Sequence, residues 1–559
     1  MSKKRDLSEL GKKVIYQIYP KSFYDSNGDG IGDIRGIIAK IDYLISLNID
    51  MIWFNPFFIS PQNDNGYDIA DYYNIDSVFG TMDDFEELVA KLRANHIGVM
   101  LDMVFNHCST SHQWFQKALA GNQKYQNYFY IRSTKKDGSL PTNWQSKFGG
   151  PAWSKFGNTD KFYLHLYDPT QADLDWHNPD VRYEAANIIN FWQKKGVTGF
   201  RFDVFNVTGK SETLVNSNGD EAAEKKLYTD TPIVHKYLHE LNRASFGQDS
   251  QIITVGEMSS TTIANSIDYT NPKNQELSMV FTFHHLKVDY KNGDKWQTIP
   301  FDFMKLKELL FSWQESLDKG HGWNALFWNN HDQPRALSRF CNTQTYRIQS
   351  AQMLATAIQL LRGTPFIYQG EEIGMLNPDY TSIEEYVDVE TKNAYHILQK
   401  SGFSENDAFL AVKQKSRDNS RTPMQWTAAK YAGFSHNKPW LASTNQDTIN
   451  VAAELDHGKI FKFYQKLIAL RKSEPLISDG HIMPLLRDDQ RVFAYSRYLA
   501  DSALVVLTNF YDKTTTIELP SKYKRRHGSV ILSNYNRTLG ELPRVLTLKP
   551  YESLVFKFS

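Results

Sequence analysis

The chain has 559 residues, 41% of them hydrophobic, which is enough apolar side chain for a large buried core and for more than one domain. Lys+Arg and Asp+Glu both total 63, so the formal net charge is zero, which excludes the electrostatic footprint of a nucleic-acid or anionic-membrane binder. Two cysteines, Cys108 and Cys341, exclude a disulfide framework and leave a single disulfide open, and no stretch approaches the ~18 apolar residues of a membrane span.

The N-terminal stretch MSKKRDLSELGKK is basic, but the apolar run behind it, Val14 to Pro20, is too short for a leader and reads as a strand, so no secretory leader is expected there. With so few thiols, the expectation is a soluble protein of a reducing cytoplasm. Short β-branched or aromatic runs then alternate with helical patterns. Strands are expected over 14–19, 51–55, 99–104, 199–204, 252–256, 277–283, 325–328 and 365–368. Helices are expected between most of them, as over 83–95, 181–194 and 304–316. Eight strands, mostly followed by helices, predict an α/β fold, a closed parallel barrel of the TIM (β/α)8 class.

Three stretches interrupt the alternation. Residues 108–177, rich in Gly, Ser, Asn, Trp and Tyr, are too long for a loop and predict an inserted subdomain. A polar, aromatic-dotted stretch follows the eighth strand from 374 to about 456. From 476 the pattern becomes β-runs without helices, over 492–498, 503–508, 515–519, 529–532 and 546–558. The expected domains are therefore a barrel over 1–107 and 178–475, the insert over 108–177, and an all-β domain over 476–559. Aromatic residues reach 14%; packing accounts for most, and a carbohydrate cleft is the functional alternative.

Polar residues cluster at the ends of the expected strands, where such barrels carry their catalytic groups. The third ends in Asp102-Met-Val-Phe-Asn106-His107, the fourth in Arg201-Phe-Asp203, the fifth in Gly256-Glu257, and the seventh in Asn329-Asn330-His331-Asp332. Arg201 and Asp203 are two apart and share a face of their strand, so the guanidinium favours an ionised Asp203. Glycoside cleavage needs one ionised and one protonated carboxyl; a spacing of about 5–5.5 Å permits a covalent intermediate and retention. Asp203 and Glu257, on neighbouring strands, are the candidate pair. Earlier in the chain, Asp25-Ser-Asn27-Gly-Asp29-Gly-Ile31-Gly-Asp33 alternates oxygen ligands around a glycine turn, which suits a hard cation such as Ca²⁺. It is not an EF-hand, because the twelfth position is Gly36, and it lacks the Lys-Ser/Thr ending of a phosphate loop.

These four motifs, in this order and with Tyr67-Asp68 in NDNGYDIADY, resemble the signature regions of the α-amylase family of glycoside hydrolases (family 13). The resemblance covers essentially the whole chain. It implies Asp203 as nucleophile, Glu257 as general acid/base, and Asp332 as a third carboxylate that holds sugar hydroxyls. It places Tyr67, Asp68, His107, Arg201, His331 and Arg417 at the glucose subsite, and adds the backbone carbonyl of Ile31 to the metal loop. QWTAAKYAGFS and RTPMQW are similar to the oligo-1,6-glucosidase branch, where a valine after the nucleophile, here Val204, accompanies α-1,6 rather than α-1,4 cleavage. The segment FHHLKVDYKNGDKW resembles its counterpart in members that hydrolyse trehalose 6-phosphate. That implies a disaccharide phosphate as substrate, with Lys287 and Lys295, aided by His284 or His285, as the phosphate ligands. The alternatives are hydrolysis of isomaltose-type sugars, sucrose isomerisation, for which the Arg-Leu-Asp-Arg-Asp loop is missing, and a non-enzymatic transporter relative, whose loss of carboxylates is not seen here.

Overall fold

The computed structural model describes residues 7–523 and 526–558; the basic stretch up to Asp6, read above for a leader, lies outside them. In chain order the main elements are β1 (Ile15–Ile18), β2 (Met51–Phe54), α1 (Met82–Ala94), β3 (Gly98–Val104), α2 (Pro179–Lys194), β4 (Gly199–Asp203), α3 (Pro232–Ala244), β5 (Ile253–Glu257), β6 (Met279–Phe281), α4 (Phe303–Lys319), β7 (Ala325–Leu326), α5 (Ala336–Phe340), α6 (Thr343–Gln359), β8 (Thr364–Tyr368) and α7 (Glu405–Lys415). Then come β9 (His481–Leu485), β10 (Val492–Leu499), β11 (Ser502–Asn509), β12 (Thr515–Glu518), β13 (Gly528–Ser533), β14 (Val545–Leu548) and β15 (Ser553–Phe558). Each strand expected in the barrel is present, its ends within two residues of the expectation. Two compact units are distinguished: one takes in 53–282 and 386–408, the other 7–52, 283–385 and the described residues from 409 onward.

In the first unit β4 pairs in parallel with β3 on one side and β5 on the other, and β5 pairs with β6. These strands are buried along nearly their whole length, as their continuous apolar runs require. Helix α1 starts at a capping box: the Thr81 side chain accepts from the Asp84 amide, and the Asp84 carboxylate accepts from the Thr81 amide. Helix α2 starts at Asn178, whose side chain accepts from the Asp180 amide, with Pro179 in the first turn. Between β3 and α2 the chain builds short antiparallel pairs, His107–Ser109 with Gln171–Asp173, and Ile131–Ser133 and Trp153–Lys155 on either side of Lys161–Leu164. The core here joins Tyr130, Trp144, Trp153, Leu164 and Leu166 to Val204, Val207 and Tyr228. Burying each large side chain contributes roughly 1.5–3 kcal/mol, so this contact anchors the chain just past β4.

In the second unit β1 pairs in parallel with β8, and β8 with β7. Strand β7 is only Ala325–Leu326, because the following residues turn into a polar segment that starts at Asn329. The C-terminal strands form an antiparallel sheet in the order β9-β10-β11-β15-β13, with β12 paired to β14. Val505, Leu507, Leu554 and Phe556 lie in its core. The run expected over 546–558 is two strands, separated where Tyr551 takes a φ of +49°. Strand β9 is not among the expected runs; it holds Pro484 and lies at the end of the sheet order, where a proline is tolerated. Both cysteines are free thiols, which closes the disulfide alternative. Among the described residues no helix is long and apolar enough to cross a membrane.

Candidate active site

Strand register assembles the acidic centre of the first unit. Arg201 stands abreast of Asp102 in β3, and Phe202 abreast of Gly256 in β5, so Asp203 and Glu257 follow one step along. Arg201 Nη1 donates to Asp102 Oδ1 and to Asp203 Oδ1, each at 2.6 Å, and its Nη2 ion-pairs with Glu257 Oε2. One guanidinium thus contacts both candidate carboxylates. Arg201 and Asp102 are fully buried, whereas the side chains of Asp203 and Glu257 are each 11% exposed, so only these two present an edge outward.

Asp102 went unremarked as a site residue in the sequence, yet it anchors the centre. Tyr67 donates its hydroxyl to Asp102 Oδ2 at 2.9 Å, Trp53 donates Nε1 to the same atom at 3.3 Å, and Asn55 donates to the Tyr67 oxygen. Burial pushes the Asp102 carboxyl up to about 7, against the pull of Arg201 and with a further push from Asp203. Burial would lower the Arg201 pKa, but Asp102, Tyr67 and Asp203 raise it further, so the guanidinium stays charged. Burial and the neighbouring carboxylate thus favour a proton on Asp102.

Asp68 is fully buried and accepts four hydrogen bonds, from the Ser60 hydroxyl, the Asp64 and Asn63 amides and the Asn63 side chain. It shapes the 60–64 loop. His107 lies within 3.2 Å of both the Asn106 and the Gln171 side-chain amides and packs against Tyr167, and burial holds its imidazole in the neutral form. Asn106 Oδ1 in turn accepts from the buried Lys210, which ion-pairs with Asp173. Directly after Asp203 the chain turns sharply: Val204 has φ +35° and ψ +38°, a left-handed conformation rare for a β-branched residue.

In the second unit the polar segment after β7 is held by arginines. Arg421 donates to Asp332 Oδ1 at 2.7 Å and to the His331 carbonyl at 2.8 Å; Arg417 stands 3.7 Å from the same carboxylate. His331 Nε2 lies 3.1 Å from Asp332 Oδ2, and its Nδ1 lies 3.0 Å from Gln17 Nε2. Burial alone would raise the Asp332 pKa, but His331, Arg421 and Arg417 hold it well below the usual range. Arg421 makes the shorter contact yet was not singled out; its position four residues after Arg417, one helical turn on, was the available signal.

Of the four expected phosphate ligands, one needs correction. His285 is buried, lies 2.9 Å from the Phe327 carbonyl through Nε2, and is brought by burial down to about 4. It is a neutral core histidine and supplies no cation. His284 stacks on Trp313, Lys287 closes the short turn His284–Leu286, and Lys295 lies in the strand Asp294–Thr298 with its Nζ over the Trp296 ring.

The expected metal loop is tightly wound. Asp25 accepts from the amides of Asn27, Gly28 and Gly30, Asn27 Oδ1 from Asp29, and Asp29 Oδ1 from Ile31. Asp33 accepts from Ser26 and caps the helix Ile34–Ala39 through the Gly36 amide. Gly30 has φ +91°, and a Cβ there would come within 2.4 Å of the Lys438 carbonyl, so only glycine fits. Among the described residues no group of three or more His, Cys, Asp or Glu is gathered around one point. The donor set of the loop is nonetheless all oxygen, and carboxylate and carbonyl oxygens keep lone pairs beyond the amides they accept from.

The chain matches the family model described as "Alpha amylase, catalytic domain" over residues 17–480, and "Alpha-amylase SusG C-terminal domain" over 492–555. It is 46% identical to a trehalose-6-phosphate hydrolase of Bacillus subtilis over 551 residues, covering 98% of both chains. It is 43% identical to an oligo-1,6-glucosidase of Parageobacillus thermoglucosidasius, covering 97% of this chain and 98% of that one. Its fold superposes with a TM-score of 0.93 on the crystal structure of the trehalose-6-phosphate hydrolase of Bacillus licheniformis, at 48% identity, covering 98% of this chain and 99% of the other.

Proposed function

The chain belongs to the α-amylase family of glycoside hydrolases, a (β/α)8 barrel with a C-terminal β domain, and from that premise we propose that it hydrolyses trehalose 6-phosphate to glucose and glucose 6-phosphate with retention. The observation that carries the chemistry is the Arg201 fork bridging Asp203 and Glu257. In this reading Asp203 attacks the anomeric carbon while Glu257 gives its proton to the departing oxygen, leaving a glucosyl ester on Asp203. Glu257, now ionised, takes a proton from water, the water oxygen attacks the anomeric carbon, and the ester bond breaks. Arg201 holds the two carboxylates side by side through Nη1 and Nη2. Asp332 and Arg417 take the sugar-binding roles that the family pattern assigns them, with Arg421 orienting Asp332.

The substrate reading rests on the relatives named for trehalose 6-phosphate and on Lys287 and Lys295, which carry charges suited to a phosphate dianion. Its test is product analysis on trehalose 6-phosphate, trehalose and isomaltose. We expect trehalose 6-phosphate to be cleaved with the highest kcat/KM, to equimolar glucose and glucose 6-phosphate. Preferential cleavage of isomaltose would instead make the protein an oligo-1,6-glucosidase, the activity for which the 43%-identical relative is named. Two free cysteines suit a reducing cytoplasm as the proposed compartment.

For the loop at 25–33, Ca²⁺ is the proposed ion, held by Asp25, Asn27, Asp29, Asp33 and the Ile31 carbonyl, and it would supply structural stability only. Thermal unfolding after chelation checks this. Ca²⁺ at a hundredfold excess over its Kd should add about 2.7 kcal/mol, seen as a rise in Tm that Asp29→Ala abolishes. An identical Tm with and without Ca²⁺ removes the ion from the account.

A further inference from the structure

The segment that carries Lys287 and Lys295 is gripped by a buried ionic cluster that the hydrolytic reaction does not use. Asp289 lies between the two lysines and is almost fully buried. Its carboxylate takes both arms of Arg339, Nε to Oδ2 at 3.1 Å and Nη2 to Oδ1 at 2.8 Å, and Lys415 Nζ donates to Oδ2 at 2.5 Å. Arg339 Nη2 also donates to the Leu286 carbonyl, so one guanidinium holds both the backbone and the side chain of the segment. Lys415 Nζ lies over the Tyr290 ring at 4.8 Å. Main-chain bonds complete the grip, from the Ile299 amide to the Asp289 carbonyl and from the Asp302 amide to the Val288 carbonyl.

The two cations arrive from elements that the rest of the site depends on. Arg339 is in α5, a few residues beyond Asp332; Lys415 ends α7, two residues before Arg417. The cluster therefore ties the lysine-bearing segment to the two stretches that hold the third carboxylate. Burial would raise the Asp289 pKa, but Arg339 and Lys415 outweigh it and keep the carboxylate charged. Burial brings Lys415 down to about 8, with Arg339 and Lys295 pushing the same way, so Lys295 is an electrostatic neighbour of the cluster. Its members carry one more positive than negative charge, and Lys287 and Lys295 add to that excess. A buried, bidentate and triply anchored arrangement of this kind fixes geometry more than it adds stability.

We infer that Asp289, Arg339 and Lys415 are positioning residues that hold Lys287 and Lys295 in place and so determine selectivity for phosphorylated over unphosphorylated α-glucosides. The inference rests on the phosphate reading above. Arg339→Lys isolates the geometric role, because it keeps the charge and loses the fork. It should raise KM for trehalose 6-phosphate by about tenfold, with kcat little changed and with kcat/KM for p-nitrophenyl α-glucoside unaltered. In a Lys287→Ala/Lys295→Ala background the same substitution should add nothing further to KM. Equal losses on both substrates, or an undiminished effect in that background, would overturn the inference by reducing Arg339 to general structural support. A wild-type protein without preference for the phosphorylated substrate overturns the substrate reading, and the selectivity role with it. A preference that Arg339→Lys leaves intact overturns the positioning role alone.

Discussion

Asp203→Asn is expected to lower kcat on every α-glucoside by on the order of 10⁴-fold or more, the scale on which a missing nucleophile acts in covalent mechanisms. The substitution changes one oxygen for an amide nitrogen, so packing at the end of β4 is preserved. What changes is the attacking atom and the contact with Arg201 Nη1, which can no longer meet a charged oxygen. Arg201 keeps Asp102 and Glu257 as partners, so the fold should hold and Tm should fall little. Intact-mass analysis gives an independent reading. A slow fluoro-glucosyl substrate should label the wild type on the peptide that contains Asp203, and leave the variant unlabelled. Full turnover by the variant, with deamidation excluded, would end the proposed mechanism.

The Glu257→Gln variant should behave differently, because an acid matters in proportion to how poor the leaving group is. A sugar alkoxide leaves badly without a proton, so activity on a disaccharide should fall by roughly 10²–10⁴-fold, the usual span of general acid–base catalysis. An aryl glucoside whose phenol is already acidic should lose far less in the first step, so that the glucosyl-enzyme accumulates and its hydrolysis becomes limiting. Pre-steady-state release of the phenol measures this as a burst. Equal losses for acidic and weakly acidic leaving groups would contradict the assignment of Glu257 as acid. Retention of the Arg201 contact by the glutamine oxygen should keep the strand ends in place.

The fold was readable where local pattern and burial agree. The apolar runs at 99–104 and 199–204 are strands because both faces are covered, and the polar Asp102, Arg201 and Asp203 within them marked the centre. Where the reading missed, the missing information was pairing. That Asp102 serves Arg201 is a matter of β3–β4 register between residues 99 apart, which composition does not encode. His285 read as a ligand because a histidine beside lysines suits an anion; only the Phe327 carbonyl, 42 residues on, shows it occupied in the core. Arg417 and Arg421 sit in one turn, and it is the three-dimensional packing that brings the Arg421 guanidinium closer to Asp332. Strand β9, with Pro484 inside it, carries a weak strand pattern, and the split between β14 and β15 turns on a single left-handed tyrosine.

Val204 has a consequence for any attempt to retune which bond is cut. A valine with positive φ sits at a cost of about 1–2 kcal/mol, sustained by the aromatic cluster of Trp144, Trp153 and Tyr228 against which it packs. Exchanging it for a smaller residue therefore changes two things at once: the packing of that cluster and the tension in the peptide that carries the preceding Asp203. Libraries that vary this position alone will confound the two. Co-varying it with the indole and phenol rings behind it separates packing from the aim of the carboxylate.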